Sequence, residues 1–174
     1  MRITSYGLFW QEKEVNWQPG RGNRNEFNLL GKIGSNKGKV KIADFRLLQG
    51  IYILYDDYGP AYAGLTRASY GLGERIKHHT KDHLAGKWDR FCWFGFRDLA
   101  KKTDRNGILA LSDANSNVEE NTHTTIGDLE TLLIQLLGTK LNKSKMKFEH
   151  AQRWTQIAYD ERDHWLQKVK LHEL

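Results

Sequence analysis

Two tyrosines, an arginine and a group of histidines follow one another closely in the first half of the chain. Arg75 and His79 are four residues apart, so on a helix they lie on one face, and His83 continues that face. An arginine presents a planar fork to a phosphate, and a histidine titrates near neutral pH and can accept a proton. The phenols of Tyr52 and Tyr62, with an ordinary pKa of about 10, are poor bases unless cations stabilise the phenolate. These residue types are typical of a site that moves protons beside an anionic group.

A zinc site is the alternative interpretation of the histidines. His79 and His83 share one helical face, as two zinc ligands would. On a continuous helix, however, His78 and Asp82 project to other faces, and a catalytic zinc usually needs a third well-placed protein ligand. The sequence therefore favours proton transfer over zinc binding, with His83 as a structural residue or a substrate contact.

The element that must carry the tyrosines is a β-hairpin. The apolar, β-branched and aromatic run at 50–55 predicts a strand with at least one buried face. The turn formers at 56–60 reverse the chain, and residues 61–65 return as a second strand. Tyr52 and Tyr62 could then face each other across the hairpin. Ordinary packing of two strand aromatics is the alternative interpretation of this pair.

A helix follows the hairpin and carries the arginine and the histidines. Ser69 can cap this helix, and the pattern predicts that it runs to Ala85, before a third strand at 87–96. A later helix is predicted to begin near 125–128 and to end at Gly138. Its leucines predict a stripe that faces the core, made by Leu129, Leu132, Leu133, Leu136 and Leu137.

The motifs of this hairpin resemble those of the GIY-YIG nuclease family. Gly50-Ile51-Tyr52 matches the first family motif letter for letter, and Tyr62-Ala63-Gly64 matches the second in its tyrosine and its glycine. The family places an arginine on the next helix, often with a histidine or tyrosine one turn later, and Arg75 and His79 fit that order. The resemblance covers residues 47–145 and implies an endonuclease that hydrolyses phosphodiester bonds in DNA.

The resemblance also implies a metal site. The family needs a glutamate on a downstream helix, often followed by an asparagine, and Glu130 and Asn142 fit that order. Glu130 would then hold Mg²⁺ (or Mn²⁺), a hard ion that keeps most of its waters and also binds substrate oxygen. The alternative for Glu130 is that a carboxylate in the first turn of a helix is favoured by the helix dipole.

One position departs from part of the family. Some relatives carry a lysine directly after the glycine of the second motif, where it can lower the pKa of the tyrosine, and here that position is Leu65. His79 is the candidate to replace the lysine, either by polarising a tyrosine or by acting as the base itself. Which of Tyr52, Tyr62 and His79 is the general base stays open.

Composition and charge bound the class of protein. The chain has 174 residues, of which 39% are hydrophobic and 28% charged, as expected for one globular domain with a core. We expect no membrane span and no signal peptide, since no apolar run is suited to either. The lone Cys92 cannot form an internal disulfide, which fits a reducing, cytoplasmic location. The net charge of +6 favours an anionic partner.

A run of lysines follows the second helix and, with Lys77, predicts sequence-independent contacts to DNA phosphates. These lysines are Lys140, Lys143, Lys145 and Lys147. Whether the DNA is single-stranded, double-stranded or branched stays open. Two other functions also stay open. One is a nucleic-acid-binding module without catalysis, although all the matched catalytic positions are filled. The other is an interaction protein that uses a tryptophan stripe near the C-terminus.

The expected fold is α+β, a small and mainly antiparallel three-stranded sheet flanked by helices, as the resemblance implies. Residues 1–46 are predicted to be an N-terminal extension with a hairpin and a basic glycine-rich loop. Residues 47–145 are the expected nuclease domain, and 146–174 are expected to form a C-terminal helix packed on it. Apolar residues from Phe148 through Trp154 to Val169 recur at helical spacing. A monomer is expected, because a small domain must bury such a helix on itself.

Overall fold

The computed structural model is mostly β-structure, with nine strands in one mixed sheet among the residues that it describes. It describes residues 3–18, 27–35, 40–66, 71–112, 122–137, 147–148 and 150–170. The strands are β1 (Ser5–Gln11), β2 (Leu30–Ile33), β3 (Lys41–Asp44), β4 (Gly50–Asp56), β5 (Gly59–Thr66), β6 (Arg90–Gly95), β7 (Leu99–Thr103), β8 (Ile108–Leu111) and β9 (Gln152–Gln156). The helices are α1 (Gly71–His79), α2 (Thr122–Leu137) and α3 (Arg162–Lys170). None of them is long and apolar enough to cross a bilayer.

The predicted α+β fold with a small three-stranded sheet is wrong. The strand order is β5-β4-β6-β1-β9-β2-β3-β8-β7, so the predicted hairpin and third strand form only one end of a larger sheet. Most neighbouring strands are antiparallel, but β1 pairs with β9, and β3 with β8, in parallel. The sheet is larger than predicted because segments outside the predicted hairpin and third strand also form strands. Examples are β2, in the predicted N-terminal extension, and β9, in the predicted C-terminal helix, and their partners are distant in the chain.

The N-terminal extension does not form the predicted hairpin. Its strand, β1, pairs instead with two strands that are distant in the chain. Its neighbours are β6 on one side and β9 on the other. The chain after β1 forms a short 3-10 helix at Glu12–Glu14, and Val15 to Trp17 is not a strand. Both edges of β1 are therefore satisfied by hydrogen bonds to other parts of the chain, and no local partner is needed.

The predicted C-terminal helix from 146 onwards is also wrong. Its first part is β9, and α3 begins only at Arg162. Trp154 lies in β9, only 2% exposed, with Gly7 of β1 as its register partner. The spacing of Trp154 and Ile157 fits a helix, but two strands, β1 and β2, are available to pair with β9 on either side. The tryptophan stripe therefore does not exist, since Trp154 is in the sheet and Trp165 is on α3.

The two faces of β4 separate two parts of the core, because side chains alternate along a strand. Tyr52 and Leu54 lie on the face that packs against Leu72 and Ile76 of α1. The intervening Ile53, with Tyr55, lies on the opposite face, where Leu132 of α2 packs. Helices α1 and α2 therefore cover opposite faces of this end of the sheet.

Helix α2 does not bury the predicted leucine stripe. Leu132 is buried and Leu136 is partly buried, but Leu129, Leu133 and Leu137 are 54%, 53% and 63% exposed. The buried face instead includes Asp128 and Thr131, and an Asp128 carboxylate oxygen accepts the Ile3 N–H at 3.3 Å. With Asp128 and Thr131 on the buried face, α2 has a different orientation from the one that its leucines alone predict.

Candidate active site

Gly64 makes the room in which the first tyrosine lies. Tyr52 of β4 is paired with Gly64 of β5, and Leu54 with Tyr62, so Tyr52 and Tyr62 share a face but are diagonal neighbours. A Cβ atom at Gly64 would lie 2.3 Å from both Cζ and the hydroxyl oxygen of Tyr52. The glycine of the second motif is thus required because the phenol ring of the first motif lies across it.

Tyr52, His79 and Asp82 form a hydrogen-bonded chain. The Tyr52 hydroxyl oxygen is 2.7 Å from His79 Nε2, and His79 Nδ1 is 2.7 Å from Asp82 Oδ2. An ionised carboxylate can only accept, so Nδ1 carries the proton and donates it to Asp82. Nε2 then has a lone pair that accepts the Tyr52 O–H; this tautomer is assigned from the network. The imidazole is therefore oriented as a proton acceptor for Tyr52.

The local fold fixes the histidine in this orientation. Helix α1 was predicted to reach Ala85 but ends at His79, and the chain then turns. Asp82 stabilises the chain after this turn, since its Oδ1 accepts the Leu84 N–H at 2.8 Å while its Oδ2 faces His79. Trp88 donates its indole N–H to the His79 carbonyl at 3.3 Å. His79 itself is only 2% exposed.

The protonation states follow from burial and from these contacts. Burial lowers the pKa of His79 below its ordinary value of 6.5, against the opposing effect of Asp82, so the ring is neutral at pH 7. Burial raises the pKa of Tyr52 to about 12, although its hydrogen bond with Arg75 acts to lower it. For Asp82, desolvation acts to raise the pKa. The hydrogen bonds from Leu84 and His79 outweigh it, and the pKa falls to about 2. The resting state is a neutral phenol, a neutral imidazole and a carboxylate.

Arg75 and Tyr62 form the outer side of the site. Tyr52 is fully buried, whereas Tyr62 is partly buried and Arg75 is exposed. Both outer side chains lie close enough to Tyr52 to affect its pKa, and the phenols next to Arg75 raise the pKa of the guanidinium, Tyr52 most strongly. The Tyr62 ring is 6.2 Å from the Tyr52 ring and 5.0 Å from the His79 ring, between centroids. Tyr62 and the permanently charged Arg75 therefore lie between solvent and the buried hydroxyl of Tyr52.

Further cations lie along α1 and just after it. Lys77 is partly buried, and its ammonium lies 4.7 Å from the centroid of the Phe27 ring, which holds it beside the helix. Arg75, Lys77 and Lys81 line one open depression together with Glu74. The Glu74 carboxylate is 3.9 Å from the guanidinium of Arg46, which offsets its charge. The surface next to Arg75 is therefore suited to an anion.

Glu130, the predicted metal ligand, is not brought to this site. It is exposed on α2, and α2 packs on the face of the sheet opposite to Tyr52 and α1. The sheet therefore separates the Glu130 carboxylate from the Tyr52 hydroxyl. Lys147 is exposed, next to Phe148, which belongs to the α2 side. Asn142, Lys140, Lys143 and Lys145 lie outside the described residues.

Asp82 is the site residue whose role the sequence did not reveal. Asp82 was interpreted only as a rejected zinc ligand, on the premise that it projects to a different helical face from His79. That premise was wrong, because residues three apart on a helix are neighbours on one face, as the contact between His79 and Asp82 shows. An aspartate three residues after a histidine is a weak signal by itself, and the observed hydrogen bonds of Asp82 to His79 and Leu84 make it specific.

Comparisons with protein-family models, with curated proteins and with solved structures found no match to this chain. The site's own geometry therefore indicates its chemistry. That geometry provides His79 as a proton acceptor for Tyr52, with Asp82 to stabilise the resulting imidazolium, and it places the partly buried Tyr62 ring beside both. It also provides Arg75, whose fixed positive charge lies beside both phenols.

Proposed function

We propose that this protein is an endonuclease that hydrolyses phosphodiester bonds in DNA, with chemistry like that of the GIY-YIG nucleases. The observation that carries the proposal is the chain from Tyr52 through His79 to Asp82, with Arg75 beside its outer end. A neutral imidazole with a fixed tautomer is a proton acceptor, and a guanidinium is a ligand for phosphate. Hydrolysis of a phosphodiester needs both functions in one place.

The proposed reaction moves one proton inwards along this chain. The attacking water gives its proton to the Tyr62 oxygen as its own oxygen bonds to phosphorus, and the Tyr62 proton passes to the Tyr52 oxygen. The Tyr52 proton passes to His79 Nε2, and the P–O bond to the leaving oxygen breaks as that oxygen takes a proton from solvent. The His79 imidazolium then releases its proton to solvent, which restores the resting state. Tyr62 is the outer phenol because Tyr52 is fully buried. Both phenols are neutral again at the end, so neither has to become a free phenolate.

Arg75 and Asp82 stabilise the charges that this transfer creates. Arg75 faces the outer phenols and can donate two hydrogen bonds to the phosphoryl oxygens, where negative charge builds up. Asp82 acts through His79, as a positioning residue: it holds the Nδ1 proton and stabilises the imidazolium. Lys77 and Lys81, in the same depression as Arg75, supply sequence-independent attraction to a DNA strand.

The described residues around Tyr52 and His79 do not offer a ligand set that suits Mg²⁺. That ion takes oxygen ligands in near-octahedral geometry. Among the described residues around this site, two carboxylates are Glu74, which faces Arg46, and Asp82, which accepts hydrogen bonds from His79 and Leu84. Glu130 lies across the sheet. We therefore assign Mg²⁺ no step among the described residues.

The experiment measures the cleavage rate of end-labelled single-stranded, double-stranded and branched DNA. Each rate is measured with Mg²⁺ and again after EDTA treatment. Tyr62→Phe should reduce the rate by about 10²–10⁴, the usual contribution of a positioned acid–base group. The matched control is Tyr58→Phe, because Tyr58 is 99% exposed in the hairpin turn. Cleavage of at least one DNA form by the wild type supports the proposal. Equal loss in both variants, or no cleavage of any form, contradicts it.

A further inference from the structure

Two histidines converge on one oxygen of Asp82, on the side of the imidazole chain away from Tyr52. Nδ1 of His79 is 2.7 Å from Asp82 Oδ2, and Nδ1 of His78 is 3.2 Å from the same atom. The donor atoms of these three residues all lie within 4.8 Å of one another. On the other carboxylate oxygen, His83 Nδ1 is 4.0 Å from Oδ1. These side chains meet because His79 and His78 lie three and four residues before Asp82, and the Asp82 N–H donates to the His78 carbonyl at 3.1 Å, which continues the helical path.

The two histidine–carboxylate separations, 2.7 and 3.2 Å, are close to those between ligands of a small transition-metal ion, while the group as a whole spans up to 4.8 Å and must contract around the ion. Ligand bonds to zinc of about 2.0–2.1 Å place two ligand atoms about 2.9–3.3 Å apart in octahedral or tetrahedral geometry. The observed 2.7 and 3.2 Å are close to that range before any ion is added. His78 is 67% exposed and can rotate to complete the site. Two imidazoles and one carboxylate, with a fourth position for water or His83, suit Zn²⁺ rather than Mg²⁺.

The surroundings already hold two of the ligands in place. The Asp82 carboxylate accepts the Leu84 N–H through Oδ1, which leaves Oδ2 directed at the histidines. His79 has the Tyr52 oxygen 2.7 Å from its other nitrogen, and a metal-bound histidine donates its second N–H to such a partner. The Trp88 indole holds the backbone of His79. The site thus has outer contacts as well as ligands.

We propose that His78, His79 and Asp82 bind Zn²⁺ or a similar transition-metal ion, and that the bound ion switches off proton transfer from Tyr52. The metal takes the lone pair of His79 Nδ1, so the single proton of the neutral ring resides on Nε2. Nε2–H then donates to the Tyr52 oxygen and has no lone pair for the Tyr52 proton. The inhibition rests on the proposed nuclease function, whereas the binding does not.

The test measures metal binding and DNA cleavage separately. Zn²⁺ is titrated calorimetrically into the wild type, His78→Ala and the control His164→Ala, an exposed histidine on α3. Co²⁺ absorption reports the ligand geometry. We expect one Zn²⁺ per chain in the wild type and in His164→Ala. His78→Ala should bind at least about tenfold more weakly, since even an outer contact of a metal site is worth that much. The same Zn²⁺ concentrations should inhibit wild-type cleavage but spare His78→Ala, whose cleavage without zinc is unchanged.

The outcomes separate this proposal from the nuclease function. Binding that is absent, or equal in the wild type and His78→Ala, overturns the metal site even if DNA is cleaved. Binding that depends on His78 in a protein that cleaves no DNA upholds the site and refutes the nuclease function. Binding that depends on His78 without inhibition of an active enzyme refutes the switch.

Discussion

Replacement of Gly64 by alanine should displace the Tyr52 hydroxyl and uncouple it from His79. The added Cβ would lie 2.3 Å from the Tyr52 Cζ and hydroxyl oxygen, and ordinary contact begins at 3.4 Å. The end of the phenol must therefore move by about 1.1 Å, or β5 must move by the same amount. The Tyr52–His79 hydrogen bond is 2.7 Å long, so such a shift breaks it.

The expected cost is larger for catalysis than for stability. Overpacking of this size typically lowers the free energy of unfolding by about 1–3 kcal/mol. Misplacement of a catalytic group by about 1 Å can lower the rate about 10²-fold. The assay is single-turnover cleavage of the preferred DNA, with urea unfolding of the same preparation.

The control substitution is Gly127→Ala. Gly127 is in α2, and no atom lies within 4 Å of its added Cβ. Alanine is favoured over glycine in a helix by about 0.5–1 kcal/mol, so this variant should be slightly more stable and fully active. If Gly64→Ala remains folded and cleaves within about threefold of the wild type, the position of the Tyr52 hydroxyl does not control the rate.

Three further predictions follow from burial and placement. Because the pKa of His79 lies below 6.5, kcat should stay constant above about pH 6.5 and fall only at lower pH, and the free energy of unfolding should fall there too, since the unfolded chain binds that proton first. A kcat that already falls as the pH drops from about 8 to 7 opposes the role of His79. Glu130→Gln should cleave DNA at a rate within about threefold of the wild-type rate, because the sheet separates Glu130 from the phenols. Loss of cleavage in a folded Glu130→Gln variant would support Glu130 as the metal ligand. Burial raises the pKa of the Cys92 thiol to about 11, so iodoacetamide at pH 8 should alkylate it only after unfolding, as mass spectrometry will show.

The sequence predicted the hairpin end of the sheet because its signals are local. The apolar run of β4, the turn formers and the glycine motif act within a few residues, and β4 and β5 pair there. The position of Arg75 one turn before His79 is likewise set within α1 alone. These are the cases in which residue spacing fixes geometry.

The rest of the fold depends on partners far away in the chain. Trp154 has a spacing that suits a helix, yet it lies in β9 because β1 and β2 are there to pair with it. Nothing near Trp154 in sequence indicates those partners. The orientation of α2 depends on the contact of Asp128 with Ile3, which a leucine pattern cannot reveal.

The candidate site was half predictable for the same reason. Both tyrosines, Arg75 and His79 were found from motif and spacing, and the structure brings these four together. Asp82 was missed as a partner because it was assigned to a different helical face, although a spacing of three residues makes it a neighbour of His79. Glu130 was assigned from motif order, which carries no information about the face of the sheet on which its helix packs.

The most direct test of the Tyr52–His79–Asp82 chain is the single-turnover cleavage rate of Tyr52→Phe against Tyr55→Phe. Tyr55 is a matched control, a buried tyrosine on the opposite face of the same strand, whose hydroxyl contacts the Leu136 carbonyl at 3.3 Å. Each variant loses one buried hydroxyl, but only Tyr52 contacts His79. The chain predicts that Tyr52→Phe cleaves DNA about 10²-fold or more slowly, while Tyr55→Phe stays within about threefold of the wild type. A folded Tyr52→Phe variant that cleaves as fast as Tyr55→Phe would contradict it.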